Sequence, residues 1–535
     1  MWDAAAFSTI VTAACSLAVL WWILVPDKRV RALSRMYRPV STLPIIGNTL
    51  DVMFKHRDDF HDWLRDECER SGGKPWLMTL VGRPPSIVLT SVAAFEDVMS
   101  KQFERFAKLS NSLASDVFGD GIFAVDGLKW VHQRKTSSHL FSHQMMREVM
   151  ERVVLDKAAL LCKLLENKHA ENKAENLKDI MDWYATDVFV EIGFGVDLGC
   201  LKQQQKCEFF RSFTRLPMAI HARVQQPHWL WKLKRALNIA EERQLKQDLE
   251  VVNGAIFQMI ADSMNLRART TAGEIEQTAS QRNLVSLFLE KDRAEYTNED
   301  GEAVHVPTTP KLIRDMAFNF TAAGRGTSAQ SLQWFIIMLN RYPDVEQKIR
   351  AELQSKLPHI CGSGATQVAP TMLEIQQLTY LEAAIKESLR LNPAAPLIGR
   401  TAVQDTELSD GTFLRAGTRV VIPAYASARL ESIWGDDAAE YKPERWIDST
   451  TGKLLPVSPF KFLVFYGGPR MCLGAKLAML ELKVALASIL SKFHLHTTRD
   501  PFEIQYAPSL SLPIRGSVFV TVEPVDLPHS ASVAA

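Results

Sequence analysis

One of the seven cysteines stands in a segment whose residue types favour metal binding. Residues 465–474 read Phe-Tyr-Gly-Gly-Pro-Arg-Met-Cys-Leu-Gly, a glycine-rich turn that places Cys472 just before a predicted helix. Backbone N–H groups of such a turn, the N-terminal end of the helix and the charge of Arg470 all favour a thiolate. A thiolate held in this way is a soft, electron-rich ligand that suits a haem iron. The other six cysteines lack such a setting, and we expect them to be inert.

A second group of candidate residues lies in the middle of a long predicted helix. Residues 320–328 read Phe-Thr-Ala-Ala-Gly-Arg-Gly-Thr-Ser. Each glycine inside a helix costs roughly 1 kcal/mol relative to alanine, so the two glycines predict a groove or a local distortion. At such a break, the hydroxyl of Thr327 can hydrogen-bond to a bound small molecule. The alternative is that the glycines merely allow close helix packing.

Charged residues at helical spacing form a third group. Glu387 and Arg390 stand three residues apart on one face of a predicted helix, and Arg445 follows in a Pro-Glu-Arg-Trp loop. Trp130 and Arg134 share a face of another predicted helix. The planar guanidinium of arginine binds carboxylates in a bidentate manner, so Arg134 is a candidate carboxylate ligand. The alternative for this pair is a plain surface helix.

Long amphipathic segments must position these side chains. Short strands are predicted at 76–81, 86–90, 419–423 and 517–522, and Ser91 is predicted to cap a helix that starts at Val92. A long helical mass without alternating strands and helices argues against a doubly wound sheet. We therefore expect a mainly α fold with a small β portion. Apolar residues recur with helical spacing over 144–169, 174–193, 234–266, 311–340, 343–357, 373–391 and 475–492.

The charge balance excludes one class of partner. The chain has 535 residues, with 62 Lys and Arg against 61 Asp and Glu, so its formal net charge is +1. A nucleic-acid-binding protein is expected to carry a clear excess of basic residues. We therefore expect no nucleic-acid partner.

The first segment of the chain predicts a membrane anchor. Residues 4–25 carry no charge and are long enough to span a bilayer, and basic residues follow Pro26. The positive-inside rule then places the rest of the chain in the cytosol. We expect a basic, proline-containing linker over 26–48, a catalytic domain over 49–523 and a flexible tail over 524–535. The alternative for 4–25 is a buried helix of a soluble domain.

The cysteine segment resembles the haem loop of the cytochrome P450 family. Its order, Phe-x-x-Gly-x-Arg-x-Cys-x-Gly, matches that loop at every fixed position. The resemblance implies haem b with Cys472 as the axial thiolate, and Phe465, Arg470 and Gly474 as further cofactor-binding residues. It also implies that Trp130 and Arg134 hold a haem propionate. Arg400 is a looser match to another propionate ligand, and Arg470 is a third.

The same resemblance assigns roles to the helix glycines and to the charged pair. Ala323, Gly324, Thr327 and Ser328 match the family's cleft for dioxygen, in which Thr327 would be catalytic. Gly326 stands where the family has an acid that relays protons. Proton delivery is then expected through Thr327 and water, unless the substrate is already oxygenated. In the family, the residues that match Glu387, Arg390 and Arg445 form a buried structural triad that supports the cysteine loop.

The implied activity is the insertion of one oxygen atom from dioxygen into a C–H bond of a lipophilic substrate. Residues 121–127 and 139–142 resemble the branch that hydroxylates fatty acids and alkanes, which predicts long-chain substrates oxidised near the chain end. Two alternatives stay open because of Gly326. One is a haem-thiolate isomerase or dehydratase of lipid hydroperoxides, which needs no NADPH. The other is a non-enzymatic haem or lipid binder.

The chain lacks a nucleotide-binding motif, so electrons must come from a separate protein. The resemblance implies NADPH–cytochrome P450 reductase, a flavoprotein, with cytochrome b5 as a second candidate partner and membrane lipid as a further contact. It also implies a single-pass protein of the endoplasmic reticulum membrane whose catalytic domain faces the cytosol.

Overall fold

The predicted mainly helical architecture with a small β portion is confirmed. The computed structural model describes residues 36–108, 113–204, 208–272, 283–290, 295–297, 303–305, 309–362 and 370–525, together with residues 12, 16 and 33. Its longer helices are Phe60–Arg70, Gly127–Ser138, Glu151–Ala170, Leu177–Phe194, Glu208–Gln225, His228–Leu237, Ala240–Thr271, Pro310–Arg341, Pro343–Lys356, Thr379–Leu391 and Ala475–Leu490. Shorter α-helices are Val92–Glu96, Ser115–Phe118, His143–Met145, Cys200–Gln203, Leu284–Glu290, Met372–Ile375, Ala424–Ser427 and Glu431–Trp434.

The strands form small sheets at the edge of the helical mass. The largest sheet has five strands in the spatial order Trp76–Met78, Ser86–Val88, Arg419–Ile422, Ile398–Ala402 and Phe106–Lys108. The second and third strands of this order are parallel and the other pairs are antiparallel. A second sheet joins Phe493–Thr497, Phe519–Pro524 and Glu175–Asn176. The remaining pairs are Glu295–Thr297 with Ala303–His305, and Thr406–Glu407 with Phe413–Leu414.

The long helix, Pro310–Arg341, runs through the main hydrophobic core. Thr309 caps its start by accepting a hydrogen bond from the N–H of Leu312 at 3.1 Å, and Pro310 occupies the first turn. It ends just before Pro343, since the residue preceding a proline disfavours the α conformation. The helix is α-helical over its whole length, without a break at the two glycines.

Local chain chemistry explains where other predictions succeed or fail. Ser91 caps the helix from Val92 through the N–H of Ala94, as predicted. The predicted helix over 234–266 is instead two helices, because Asn238 adopts a left-handed conformation with φ 51° that ends the first one. The predicted helix over 373–391 is likewise divided, into Met372–Ile375 and Thr379–Leu391.

The predicted anchor over residues 4–25 lies outside the described residues, apart from Thr12 and Ser16. Within the part of the chain that the structure describes, no helix combines the length and the apolar character needed to cross a bilayer. The tail beyond Val525 is likewise outside the described residues.

Candidate functional site

The cysteine loop, residues 465–474, is a tight turn in front of the helix Ala475–Leu490. The N–H of Cys472 donates to the carbonyl of Phe465 at 2.8 Å and so closes the loop. Gly468 has φ +66°, and a Cβ there would lie 2.1 Å from the carbonyl oxygen of Met99. Only glycine fits this position, because both the conformation and the space exclude a side chain. The loop is therefore held against the segment Asp97–Lys101.

The thiol of Cys472 is solvent-accessible and desolvated at the same time. Its side chain is exposed, yet burial in the surrounding protein raises the pKa of the thiol. A hydrogen bond from the N–H of Gly474 and the charge of Arg134 both act to lower that pKa. The expectation that a loop N–H stabilises the sulfur agrees with this geometry, but the arginine that acts on the thiol is Arg134 and not Arg470. We infer that a side chain that is both accessible and poorly solvated faces a space enclosed by protein, here called the cavity.

A cluster of cationic side chains lies beside this cavity. Lys108 and Arg400 are directly opposed on neighbouring strands, and Arg470 acts electrostatically on both. Burial and the charges of the two arginines lower the pKa of Lys108 to about 7. The Nε and Nη1 atoms of Arg470 are buried and have no hydrogen-bond partner, while its Nη2 donates to Asp126.

The helix Gly127–Ser138 brings Trp130 and Arg134 to the same corner. The guanidinium carbon of Arg470 lies 4.2 Å from the ring centre of Trp130, and that of Arg134 lies 5.7 Å from it. The Nη2 of Arg134 also donates to the carbonyl of Met471 at 2.8 Å, which ties this helix to the cysteine loop. Aromatic and cationic groups are thus stacked at one edge of the cavity.

These residues fit haem b. Three arginines, Lys108 and one carboxylate, Asp126, leave an excess of positive charge even when Lys108 is neutral, and Arg470 has two buried donors without an acceptor. A buried donor without a partner is costly, so the arrangement needs an anion. The two propionates of haem b supply anionic acceptors, and the accessible thiol of Cys472 supplies a ligand for its iron.

Glu387, on the helix Thr379–Leu391, is fully buried and lies at the centre of an ionic network. Its carboxylate accepts two hydrogen bonds from Arg390, at 2.8 and 2.9 Å, and one from the Nε of Arg445 at 2.7 Å. It also accepts from the indole N–H of Trp446 at 2.9 Å and from the N–H of Lys442 at 3.0 Å. The structure therefore brings together the three residues singled out in the sequence.

Aromatic rings connect this network to the cysteine loop. The Trp446 ring that bonds Glu387 lies 4.9 Å from the ring of Phe462. Phe462 lies 6.3 Å from the ring of Phe465, whose carbonyl accepts the hydrogen bond of Cys472. A displacement of the network would therefore be passed directly to the backbone of the cysteine loop.

On the long helix, Ala323 and Thr327 lie one turn apart on the same face. Ala323 is exposed and Ala322, Gly324 and Thr327 are half-buried although the helix runs through the core, so we infer that this face borders the cavity. The hydroxyl of Thr327 donates to the carbonyl of Ala323 at 2.7 Å and is also 3.1 Å from that of Gly324. Its remaining lone pairs are available to accept a hydrogen bond.

The two glycines of this helix face different surroundings. A Cβ on Gly324 would lie 1.8 Å from a ring carbon of Phe189, so Gly324 allows the close packing of a neighbouring helix. A Cβ on Gly326 would meet nothing nearer than the side chain of Gln330 at 4.0 Å. The position at which the family has an acid therefore has room for a side chain.

Ser328 is turned away from Thr327. Its hydroxyl donates to the carboxyl of Glu481 at 2.6 Å, within the core. Burial raises the pKa of Glu481 to about 8, and the bond from Ser328 only partly opposes this. The structure thus does not place Ser328 with Thr327 on the cavity side of the helix.

Four residues of these arrangements were not predicted from the sequence. Lys108 and Asp126 belong to the cationic cluster, Trp446 bonds the central carboxylate, and Glu481 bonds Ser328. Trp446 directly follows Arg445, so its position offered a signal. Lys108 offered none, because its pairing with Arg400 becomes visible only in the sheet register.

Comparison with known proteins agrees with this geometry. The family model described as Cytochrome P450 matches residues 38–519. Cytochrome P450 86B1 of Arabidopsis thaliana is 31% identical over 474 residues, covering 86% of this chain and 81% of the relative. Cytochrome P450 CYP94D108 of Paris polyphylla is 32% identical over 461 residues, covering 84% and 86%. Cytochrome P450 94A1 of Vicia sativa is 28% identical over 505 residues, covering 91% and 90%. The chain therefore belongs to the cytochrome P450 family of monooxygenases, which bind haem b through a cysteine thiolate and receive electrons from NADPH through a reductase.

Proposed function

We propose that this protein hydroxylates long-chain fatty acids or alkanes near the chain end, with Cys472 as the axial ligand of haem b. The observation that carries the proposal is the accessible thiol of Cys472 beside a cationic cluster that needs anions. The chemistry that haem supplies when bound is activation of dioxygen for insertion of one oxygen atom into a C–H bond. The residues of the chain would hold the cofactor, orient the substrate and deliver protons.

The cationic cluster performs the first of these tasks. Arg470, Arg134, Arg400 and Lys108 would hold the propionates, and Trp130 stacks against the guanidinium groups. The network of Glu387, Arg390 and Arg445 would hold the cysteine loop in a fixed position. Rigid ligands of this kind keep a reacting centre within the narrow tolerance that catalysis requires.

Thr327 would receive protons and pass them on at its hydroxyl, on the cavity side of the long helix. Its Oγ1 donates to the helix carbonyl of Ala323 and can accept a hydrogen bond from water or from a bound molecule. Because Gly326 carries no acid, the free space beside it would be filled by water, and protons would reach Thr327 through that water.

The substrate class rests on the resemblance of residues 121–127 and 139–142 to the chain-hydroxylating branch of the family. A lipophilic substrate also agrees with the partly buried rings of Phe118 and Phe320, which pack against the hydrophobic clusters that contain parts of the long helix. Small-molecule sites are typically apolar, with few polar groups.

For the location, we propose an anchor over residues 4–25, a linker over 26–48, and a catalytic domain over 49–523 that faces the cytosol from the endoplasmic reticulum membrane. The helix His228–Leu237 supports membrane contact, because Trp229, Leu233 and Leu237 are exposed at a spacing of four residues. An exposed apolar stripe flanked by lysine and arginine is typical of a helix that lies on a lipid surface. The reductase, with cytochrome b5 as a second candidate, would bind the protein at the same membrane.

The test is to incubate the membrane-bound protein with a flavoprotein reductase, NADPH and a panel of fatty acids and alkanes of different length. NADPH-dependent hydroxylated products identified by mass spectrometry would support the proposal. The variant Cys472→Ala should form no product and lose the carbon-monoxide spectrum of the thiolate-bound haem. Cys361→Ala is the matched control, because Cys361 only donates to the carbonyl of Leu357 and should leave both readouts unchanged. Oxidation by Cys472→Ala would contradict the assignment.

Gly326 favours one second candidate, an isomerase or dehydratase of lipid hydroperoxides, since such a reaction needs no proton relay to dioxygen. It predicts turnover of lipid hydroperoxides without NADPH and without the reductase. Products that form only with both would exclude it.

A further inference from the structure

A loop over residues 118–123, here called the clamped loop, lies against the long helix at Asp315 and Asn319, the second of which is about two turns before Thr327. Asp315, Asn319, Ala323 and Thr327 follow one another at intervals of four residues, so each lies about one turn from the next and is rotated about 40° from it around the helix axis. Successive members of this row are about 6 Å apart along the helix axis. The first two bind the clamped loop, so the loop begins about one helical turn from Ala323.

Side chains of the helix bind the backbone of the clamped loop at three points. The N–H of Asp120 donates to a carboxylate oxygen of Asp315 at 2.9 Å. The N–H of Phe123 donates to Oδ1 of Asn319 at 3.0 Å, and Nδ2 of Asn319 donates to the carbonyl of Phe118 at 2.9 Å. Both helix side chains are fully buried. The amide of Asn319 thus uses its acceptor and its donor on the two ends of the same loop.

The two glycines of the clamped loop are pressed onto these side chains. A Cβ on Gly119 would lie 2.2 Å from the carboxyl group of Asp315, and one on Gly121 would lie 2.1 Å from the amide of Asn319. Gly119 also has φ +57°, which other residues rarely adopt. Hydrogen bonds and close contact therefore fix the loop at the same places.

Two more side chains hold the loop from the cofactor side. Gln133 donates to the carbonyl of Asp120 at 2.7 Å, and Lys108 donates to the carbonyl of Ile122 at 2.6 Å. Five backbone groups of a six-residue loop are thus bound by side chains, whereas the backbone of most surface loops is solvated. Such a loop is a rigid wall and not an adaptable cover.

The wall carries apolar side chains toward open space. The ring of Phe118 packs against Phe318 at 5.9 Å and against Phe123 at 5.7 Å, while Phe123 itself is 45% exposed. Methyl C–H bonds are stronger than methylene C–H bonds. Attack at a chain end therefore requires a site that keeps the internal carbons away from the reacting position, and a rigid wall beside Ala323 can do this.

We propose that Asp315 and Asn319 are positioning residues that hold the clamped loop as this wall and so determine which carbon of the chain is oxidised. The proposal rests on the proposed function, since it concerns the site at which a chain substrate would be hydroxylated. Neither residue touches the reacting atoms, and both act through the loop.

The test uses the haem-loaded, full-length protein with wild type, Asn319→Ala and a control, Asn340→Ala. Asn340 lies on the same helix and also binds backbone, accepting from Thr497 and donating to Leu495, but it is far from Thr327. Hydrogen exchange of the loop amides without substrate measures the clamp directly. Asn319→Ala should raise exchange at Phe123 by about tenfold or more, and Asn340→Ala should not.

The second readout is the ratio of chain-end to internal hydroxylation of a saturated fatty acid. Asn319→Ala should lower this ratio by about tenfold, which corresponds to roughly 1.4 kcal/mol of activation free energy. Gly121→Ala should also lower this product ratio, because the added Cβ would collide with the Asn319 side chain and push the loop away from the helix. In the double variant Asn319→Ala with Gly121→Ala, the two changes in the product ratio should be non-additive, since both substitutions disturb the same contact between Asn319 and the loop.

The outcomes separate the two proposals. If wild type forms no hydroxylated product, the proposed function fails and this inference falls with it. If wild type forms product while Asn319→Ala keeps the same product ratio despite faster loop exchange, the clamp is merely structural and this inference alone is overturned. Unchanged loop exchange in Asn319→Ala would overturn it as well.

Discussion

Gly324→Ala and Gly326→Ala, two substitutions in the same helix, should change the free energy of unfolding in opposite directions. Gly324→Ala places a Cβ 1.8 Å from a ring carbon of Phe189, about half of an ordinary contact distance. Phe189 cannot withdraw easily, because it is buried and its ring packs on Phe320 at 5.8 Å. Gly326→Ala meets nothing within 4 Å apart from the end of Gln330, at the limit of that distance.

The magnitudes follow from these contacts. Replacing a helical glycine by alanine gains about 1 kcal/mol of helix propensity at either position. Overpacking of a buried contact costs about 1 to 3 kcal/mol, and the overlap at Phe189 places Gly324→Ala at the upper end. We expect Gly326→Ala to stabilise the protein by up to about 1 kcal/mol and Gly324→Ala to destabilise it by about 2 kcal/mol.

The assay is urea unfolding of both haem-loaded variants, followed by haem absorbance and by tryptophan fluorescence. The second substitution Phe189→Leu should recover part of the loss in Gly324→Ala, because it removes the ring atoms that the new Cβ meets. It should not improve Gly326→Ala. Shifts of equal size and sign in the two single variants would refute the packing argument.

Three further perturbations test other parts of the site. Glu387→Gln should destabilise the protein by about 3 to 5 kcal/mol in urea unfolding, because it leaves the buried Arg390 without its counter-charge, whereas Glu96→Gln at an exposed ion pair should cost less than about 1 kcal/mol. Equal losses would contradict this. Glu481 has a pKa raised by burial to about 8, so its contribution to stability is complete below its ordinary pKa of 4.5 and is lost as pH rises toward 8. Glu481→Gln should therefore remove a slope of up to about 1.4 kcal/mol per pH unit over that range, and an unchanged slope of unfolding free energy with pH would contradict the burial argument. Lys108→Met should speed haem transfer to an acceptor apoprotein by about tenfold or more, since one charge-assisted hydrogen bond contributes about 1.5 to 3 kcal/mol, and an unchanged rate would remove Lys108 from the cluster.

The sequence was informative where function depends on residues that are neighbours in the chain. The order of residues in the cysteine loop predicts a turn, and the structure closes that turn between Cys472 and Phe465. The spacing of Glu387 and Arg390 predicts a shared helix face, and the two side chains bond each other there. The fold class likewise follows from hydrophobic periodicity, which is a local property.

Pairings across long sequence distances could not be predicted in this way. The opposition of Lys108 and Arg400 depends on sheet register, and the bonds from Asp315 and Asn319 to the clamped loop depend on tertiary packing. The sequence could not decide between the two interpretations of the glycine pair for a related reason. Helix propensity predicts a weak point at Gly324, but the ring of Phe189 fills the space that the missing side chain leaves.

The joining of distant segments at the cofactor site also fixes when, during synthesis, that site can exist. Arg134 and Met471, which bond each other, are 337 residues apart in sequence, and Asp126 and Arg470 are separated by 344. At about 5 to 20 residues per second, the ribosome delivers the second half of each pair roughly 15 to 70 s after the first. A nascent chain that has reached only residue 464 holds Lys108 and Arg134 but no thiolate. With Cys472 as the proposed iron ligand, haem can be bound through this thiolate only after residue 472 has been synthesised, and a chain that terminates earlier lacks that ligand.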